Sequence, residues 1–161
     1  MQYLKLFPLT LISFLIFSFS STAEAFNPNK LPVSQKSEQW NVQIGESKMK
    51  NNSFDSKKGV YDSYSLDVKN IGKEAYNVTV EVYRNEPKVQ KKYELFTMKK
   101  DHIINGTESI NCFQHTNFPI SVKSKELEVL VTWQEKPYTV LKDGKQIEAR
   151  KYKETFIFKD K

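Results

Sequence analysis

Cysteine is almost missing from this chain. Cys112 is the only one, so no intrachain disulfide can form and the fold must rest on its hydrophobic core. A lone thiol of this kind is expected to be a small buried hydrophobe. Arginine is nearly as scarce: Arg84 and Arg150 are the only two among 25 basic residues. Lysine is a hydrated point charge, whereas arginine is the planar fork that reads phosphates and bases. A lysine-dominated chain of net charge +6 therefore suits solubility, or loose attraction to anionic polymers. No nucleic-acid partner is expected.

Histidine occurs twice, as His102 and His115. Cys112-Phe113-Gln114-His115 has the spacing of half a zinc site, but such a site needs four ligands and there is no second cysteine to begin another half. There is no Gly-x-Ser-x-Gly elbow, no glycine-rich phosphate loop, and no carboxylate pair in an apolar setting that would raise a pKa. Asp101 and His102 are neighbours in sequence, which does not supply a nucleophile. No catalytic, metal-binding or cofactor-binding residue is nominated, and a non-catalytic protein is expected.

Long hydrophobic runs are absent except at the N-terminus. Met1 to Lys5 is a short start with one positive charge. Residues 6–19 are apolar apart from Pro8, Thr10, Ser13 and Ser18, and Ala23-Glu24-Ala25 has the small-residue spacing of a signal-peptidase site. The run is shorter than the roughly 17–25 apolar residues that span a bilayer. Residues 1–25 are thus read as a signal peptide cut after Ala25, leaving no stable membrane anchor. Residues 156–161 carry no second apolar anchor, so the product is expected to be secreted and free, or held at the cell wall by non-covalent contacts. Cutting there removes one lysine and one glutamate, and the net charge stays at +6.

What the rest of the chain has is alternation. Residues 26–39 carry Pro28, Pro32 and no period, and read as a flexible leader. Over residues 40–161 the dominant period is two, the mark of half-buried strands. Trp40, Val42 and Ile44 share a face; so do Tyr64, Leu66 and Val68; Val78, Val80 and Val82; and Leu127, Val129, Val131 and Trp133. Residues 93–98 alternate with apolar groups on both sides and read as a strand covered on both faces. Residues 109–113 and 119–122 read as weaker strands, and 155–158 closes the chain. Gly72 is expected to take positive φ in the turn at residues 70–73, and Asn105-Gly106 is a further turn. Asp143-Gly144 reads as a two-residue hairpin turn, and residues 48–59 as a long polar loop. Trp40 and Trp133 are the expected core anchors. Seven to eight short strands with regular turn signals predict an antiparallel β-sandwich or barrel, the sandwich being the leading reading.

Residues 64–73, Tyr-Ser-Leu-Asp-Val-Lys-Asn-Ile-Gly-Lys, and 75–83, Ala-Tyr-Asn-Val-Thr-Val-Glu-Val-Tyr, carry a resemblance. They are similar to the strand, Asn-x-Gly turn, strand unit of bacterial extracellular immunoglobulin-like modules of the CARDB and FxLYD type. Gly106-Thr107-Glu108-Ser109 occupies the place of a later turn in those modules. The Phe-x-Leu-Tyr-Asp signature itself is missing, since the strand runs Val82-Tyr83-Arg84. The resemblance implies an all-β, immunoglobulin-like sandwich in an envelope location and implies no chemistry.

The lysines form two groups. Lys88, Lys91, Lys92, Lys99 and Lys100 bracket one strand; Lys145, Arg150, Lys151 and Lys153 accompany the last hairpin. If those elements neighbour one another they make a basic stripe able to contact an anionic cell-wall polymer such as teichoic acid. The competing reading is that edge-strand lysines only block edge-to-edge aggregation. The leading expectation is a secreted binding or structural module of the cell envelope. The alternatives are an inhibitor or protective partner of another exported protein, and a secreted enzyme of unknown type.

Overall fold

Wherever the apolar residues alternate most strictly, the backbone is strand. The computed structural model describes residues 26, 28, 30–49, 56–86, 89–104 and 113–159. Among them are ten strands: β1 (Val33–Lys36), β2 (Trp40–Glu46), β3 (Tyr61–Asn70), β4 (Ala75–Arg84), β5 (Tyr93–Ile103), β6 (Phe113–Ser121), β7 (Glu126–Gln134), β8 (Tyr138–Val140), β9 (Gln146–Glu148) and β10 (Lys151–Lys159). One sheet has the order β1-β2-β3-β6 and the other β10-β7-β4-β5; β8 and β9 pair only with each other. Every pairing is antiparallel.

The two four-stranded sheets face each other across one core. Val42, Ile44, Leu66 and Val68 from the first sheet, and Val78, Val80, Val82, Leu127, Val129 and Val131 from the second, are all fully buried. Each such side chain contributes about 1.5–3 kcal/mol by leaving water. Trp40 and Trp133 meet edge-to-face at 5.7 Å between the sheets, and Tyr152 stacks on Trp133. Both tryptophans therefore anchor the core as expected. The open sides of the sandwich are closed differently. Between β5 and β6, Phe96 stacks on His115 and meets Phe118 edge-on. Between β1 and β10, Gln35 Nε2 donates to the carbonyl of Ile157 at 2.7 Å.

Several local expectations change. The leader is not wholly irregular: Val33–Lys36 pairs with Asn41–Ile44 as an edge strand, and Phe26 is buried. Four residues with one apolar side chain are too short to print a period. The strand β5 is an edge with Tyr93, Glu94, Thr97 and Lys99 exposed, so it is not covered on both faces. The two weak segments near residues 113 and 120 are one strand, β6, bulged where it pairs with Tyr64 and Leu66. Residues 109–112, Asn105-Gly106 and residues 50–55 of the 48–59 loop lie outside the described residues.

Positive φ is taken by Gly59, Gly144 and Asn77 rather than by Gly72. Gly72 is needed for space instead: a Cβ there would fall 2.8 Å from Gln39 Cα. At the hairpin, Leu141 accepts from the Gly144 amide and donates to the Lys145 carbonyl. The loop is therefore three residues long with glycine in the left-handed position, not two.

Candidate functional site

The nominated basic residues are distributed by strand order. The strand β5 forms one edge of the second sheet and β10 the other, with β4 and β7 between them. The two lysine groups are thus about 14 Å apart at three interstrand spacings, and they do not merge into the stripe that direct neighbours would make. The register nevertheless brings part of each group to the same end of the sheet. Lys153 is opposite Thr132, Thr132 opposite Thr79, and Thr79 opposite Lys99. Val78, Val80, Val129 and Val131 point inward, so this row of two threonines framed by two lysines lies on the outer face.

Lys151 begins β10 at that end, beside Arg150, and Lys145 sits in the β8–β9 hairpin that leaves from it. Lys100, one residue beyond Lys99, lies over the Phe113 ring at 5.6 Å. Among the described residues, Lys99 and Lys153 have no carboxylate in ion-pair contact, and Lys151 has a loose one to Glu148 at 3.7 Å. Such exposed pairs neutralise little.

The opposite end of the same face is acidic. Glu81, Glu94 and Glu128 surround Tyr83. Burial first, then the charges of those three carboxylates, hold its phenol above the ordinary value of 10.0. Lys92, nominated with the basic group, is consumed here. It is hydrogen-bonded to Glu128 and lies 3.4 Å from Glu126, which also meets Lys159 at 3.3 Å. The Glu128 hydrogen bond is the main cause that raises the Lys92 pKa. Lys91 is exposed at the same end, and Lys88 lies outside the described residues. Towards the hairpin this face carries Lys99 and Lys153, with Asp101 exposed two residues beyond Lys99; away from it Glu81, Glu94 and Glu128 stand around Tyr83, with Lys92 on Glu128.

A buried amide that the sequence did not single out fixes the base of the hairpin. Gln134 is fully buried. Its Nε2 donates to the Ala149 carbonyl at 2.9 Å and to Glu148 at 3.1 Å, and its Oε1 accepts from Asn77 Nδ2. Asn77 sits at a bulge with φ 48°, a conformation asparagine tolerates. The only sequence signal was a polar residue ending an apolar strand. Beyond this tie the hairpin stands clear, with Tyr138, Val140, Leu141 and Ile147 exposed.

The histidines sit on different sheets. His102 stacks on Tyr76 at 4.4 Å and is hydrogen-bonded to Glu74. Hydrogen bonds from His102 and then Tyr76 hold the exposed Glu74 carboxyl below its usual range. His115 is held between Phe96 and Phe118, and burial lowers its pKa. Among the described residues no group of three His, Cys, Asp or Glu is placed to hold a metal ion; Cys112 lies outside them.

A family model described as a YozF-like secreted protein matches residues 24–161 of this chain. A protein of Bacillus subtilis (strain 168), named "Uncharacterized protein YozF", is 33% identical to it over 148 residues, covering 86% of this chain and 84% of that one. No solved structure matches.

Proposed function

The chain belongs to the YozF-like secreted protein family, and from that premise we propose that it is a non-catalytic binding module of the cell envelope. Its contact is the basic end of the outer face of the β10-β7-β4-β5 sheet, and its ligand is an anionic cell-wall polymer. The observation that carries the reading is the row Lys153, Thr132, Thr79, Lys99. Two cations without close counter-charges frame two hydroxyls that can hydrogen-bond phosphate oxygens. At the far end Glu126 and Glu128 are paired with Lys92 and Lys159, so that end offers a polyanion fewer uncompensated cations.

The immunoglobulin-like reading belongs to the same proposal. Lettered A to G, the strands β2, β3, β4, β5, β6, β7 and β10 give A-B-E against G-F-C-C′, with β1 added beside A. That strand order supports the immunoglobulin-like reading. The likeness to CARDB and FxLYD modules rests on the strand, turn, strand unit of residues 64–83, with which this all-β architecture is compatible.

The test is retention on purified cell walls. The secreted protein is expected to bind at low salt and to elute as salt rises, because exposed charge contacts are screened. A Lys99→Ala/Lys153→Ala double variant should lose about tenfold in affinity, at up to ~1 kcal/mol per exposed contact. Lys36→Ala, on the other sheet, should behave like wild type. Equal retention of all three proteins, or none by wild type at low salt, overturns the reading.

One observation favours a second reading, as an inhibitor or protective partner of another exported protein. The hairpin presents four large apolar side chains on a projecting element, and exposed apolar groups gathered in one place suit protein contacts. A stoichiometric complex recovered from the culture medium and lost on Tyr138→Ala/Val140→Ser would support it. Recovery of the protein alone in every fraction would count against it.

A further inference from the structure

We propose that the amino terminus freed by cutting after Ala25 is a working part of the fold: Phe26 becomes the first residue of the secreted chain, and its amino group docks on Ser124 to close one end of the sandwich. The proposal rests on export of the chain through residues 1–25. The boundary is read from Ala23 and Ala25, which have signal-peptidase spacing.

First residues of a chain normally fray unless something ties them down. Phe26 is tied at three points. Its ring is 1% exposed and meets Tyr64 edge-to-face at 5.5 Å. Its carbonyl accepts from the Tyr64 hydroxyl at 3.1 Å, and its backbone nitrogen donates to the Ser124 carbonyl. Phe26 also forms one wall of a groove of about 410 Å³ at the edges of β1 and β10, with Val33, Gln35, Ile157 and Phe158. Removing the ring would open that groove into the core.

Ser124 supplies the argument for a free amino group. It lies in the turn between β6 and β7 and is 0% exposed, and its Oγ has no hydrogen-bond partner among the described residues. A buried hydroxyl without a partner is unusual and calls for a donor or acceptor. Hydrolysis of the Ala25–Phe26 bond adds hydroxyl from water to the Ala25 carbonyl and hydrogen to the Phe26 nitrogen. The residue that offered one N–H then offers an amino group with at least two hydrogens. One stays on the Ser124 carbonyl, and another is free for the orphaned Oγ of the same serine. Maturation thereby completes a hydrogen-bond set that the precursor leaves short.

The experiment uses the protein secreted from its full precursor. N-terminal sequencing should read Phe26-Asn27-Pro28-Asn29-Lys30. An amine-reactive ester near neutral pH should then label the α-amine at least tenfold more slowly in the folded protein than in a synthetic peptide of those five residues. Ser124→Ala should narrow that gap several-fold. A start at Phe26 with labelling as fast as in the peptide leaves the cleavage intact and overturns the docking. A start at any other residue overturns the cleavage, and the docking with it.

Discussion

The two ends of this sandwich are built on opposite plans. At the end near Ser124, aromatic side chains fill the opening: Phe26 on Tyr64, Tyr64 beside Phe118, with Phe158 buried nearby. The charges there are paired, Glu126 with Lys92 and Lys159. At the other end the core stops at Trp40 and Trp133, and a two-stranded hairpin projects with its apolar side chains exposed, while Lys99 and Lys153 have no ion pair among the described residues. Isolated two-stranded hairpins are marginally stable in water, and this one is tied down at its base by Gln134. One end is packed into the core, and the other projects from it with apolar side chains exposed.

Mutation should expose that asymmetry most strongly in the aromatic groups. Phe118 is 2% exposed and touches Tyr64, Phe96 and His115. Phe118→Ala is expected to cost about 3–5 kcal/mol, the range for deleting a buried aromatic, a large part of the ~5–15 kcal/mol that holds a domain together. Tyr138→Ala, on the hairpin, should change global stability by no more than about 0.5 kcal/mol. Urea unfolding of both variants measures the two values. Comparable losses would mean that the hairpin belongs to the cooperative unit after all.

A smaller effect sharpens the comparison within the hairpin end itself. Gly72 packs against Gln39 beside Trp40, and an added methyl would press on the Gln39 backbone. Gly72→Ala should cost about 2 kcal/mol globally, as overpacking does. Gly144 has open space around it but φ 83°. Gly144→Ala should cost about 1 kcal/mol, and only locally. Hydrogen exchange should show faster amide opening in Tyr138–Glu148 with an unchanged global transition.

How much of this was legible beforehand depended on whether residues act through their own strand or through a distant partner. Val42, Val80 and Val131 declare themselves by alternation, because side-chain direction follows from position within one strand. The strand near the N-terminus did not, since Val33 pairs with Ile44 through a register that no local pattern encodes. Gly72 looked like a turn glycine, yet its reason is Gln39, far away in sequence. The basic groups followed the same division. Their residue types were visible, but which of them share a face was decided by sheet order. That order puts β4 and β7 between the lysine strands and gives Lys92 to Glu128. Gln134 showed only as a polar residue ending an apolar strand, and its link to Asn77 was not legible, since a buried amide network is a property of three segments meeting.

The smallest expected effect concerns how the two ends respond to acid. His115 belongs to the aromatic closure, held between Phe96 and Phe118, and burial lowers its pKa from the ordinary 6.5. The fold therefore holds the ring neutral at a pH where the unfolded chain already takes up a proton. Below about pH 6.5 the unfolded state binds more protons, so stability falls on acidification until the folded ring titrates too, and it is fully present above that value. His102, stacked on Tyr76 at the hairpin end, is exposed to solvent. Glu74 acts in the same direction but in a lower window, beneath its ordinary 4.5. Between pH 7 and 5 the slope of stability against pH should thus shrink in His115→Phe. Urea midpoints measured at half-unit steps for this variant and the wild-type protein decide it. An unchanged slope would move the acid-sensitive contact away from the aromatic closure.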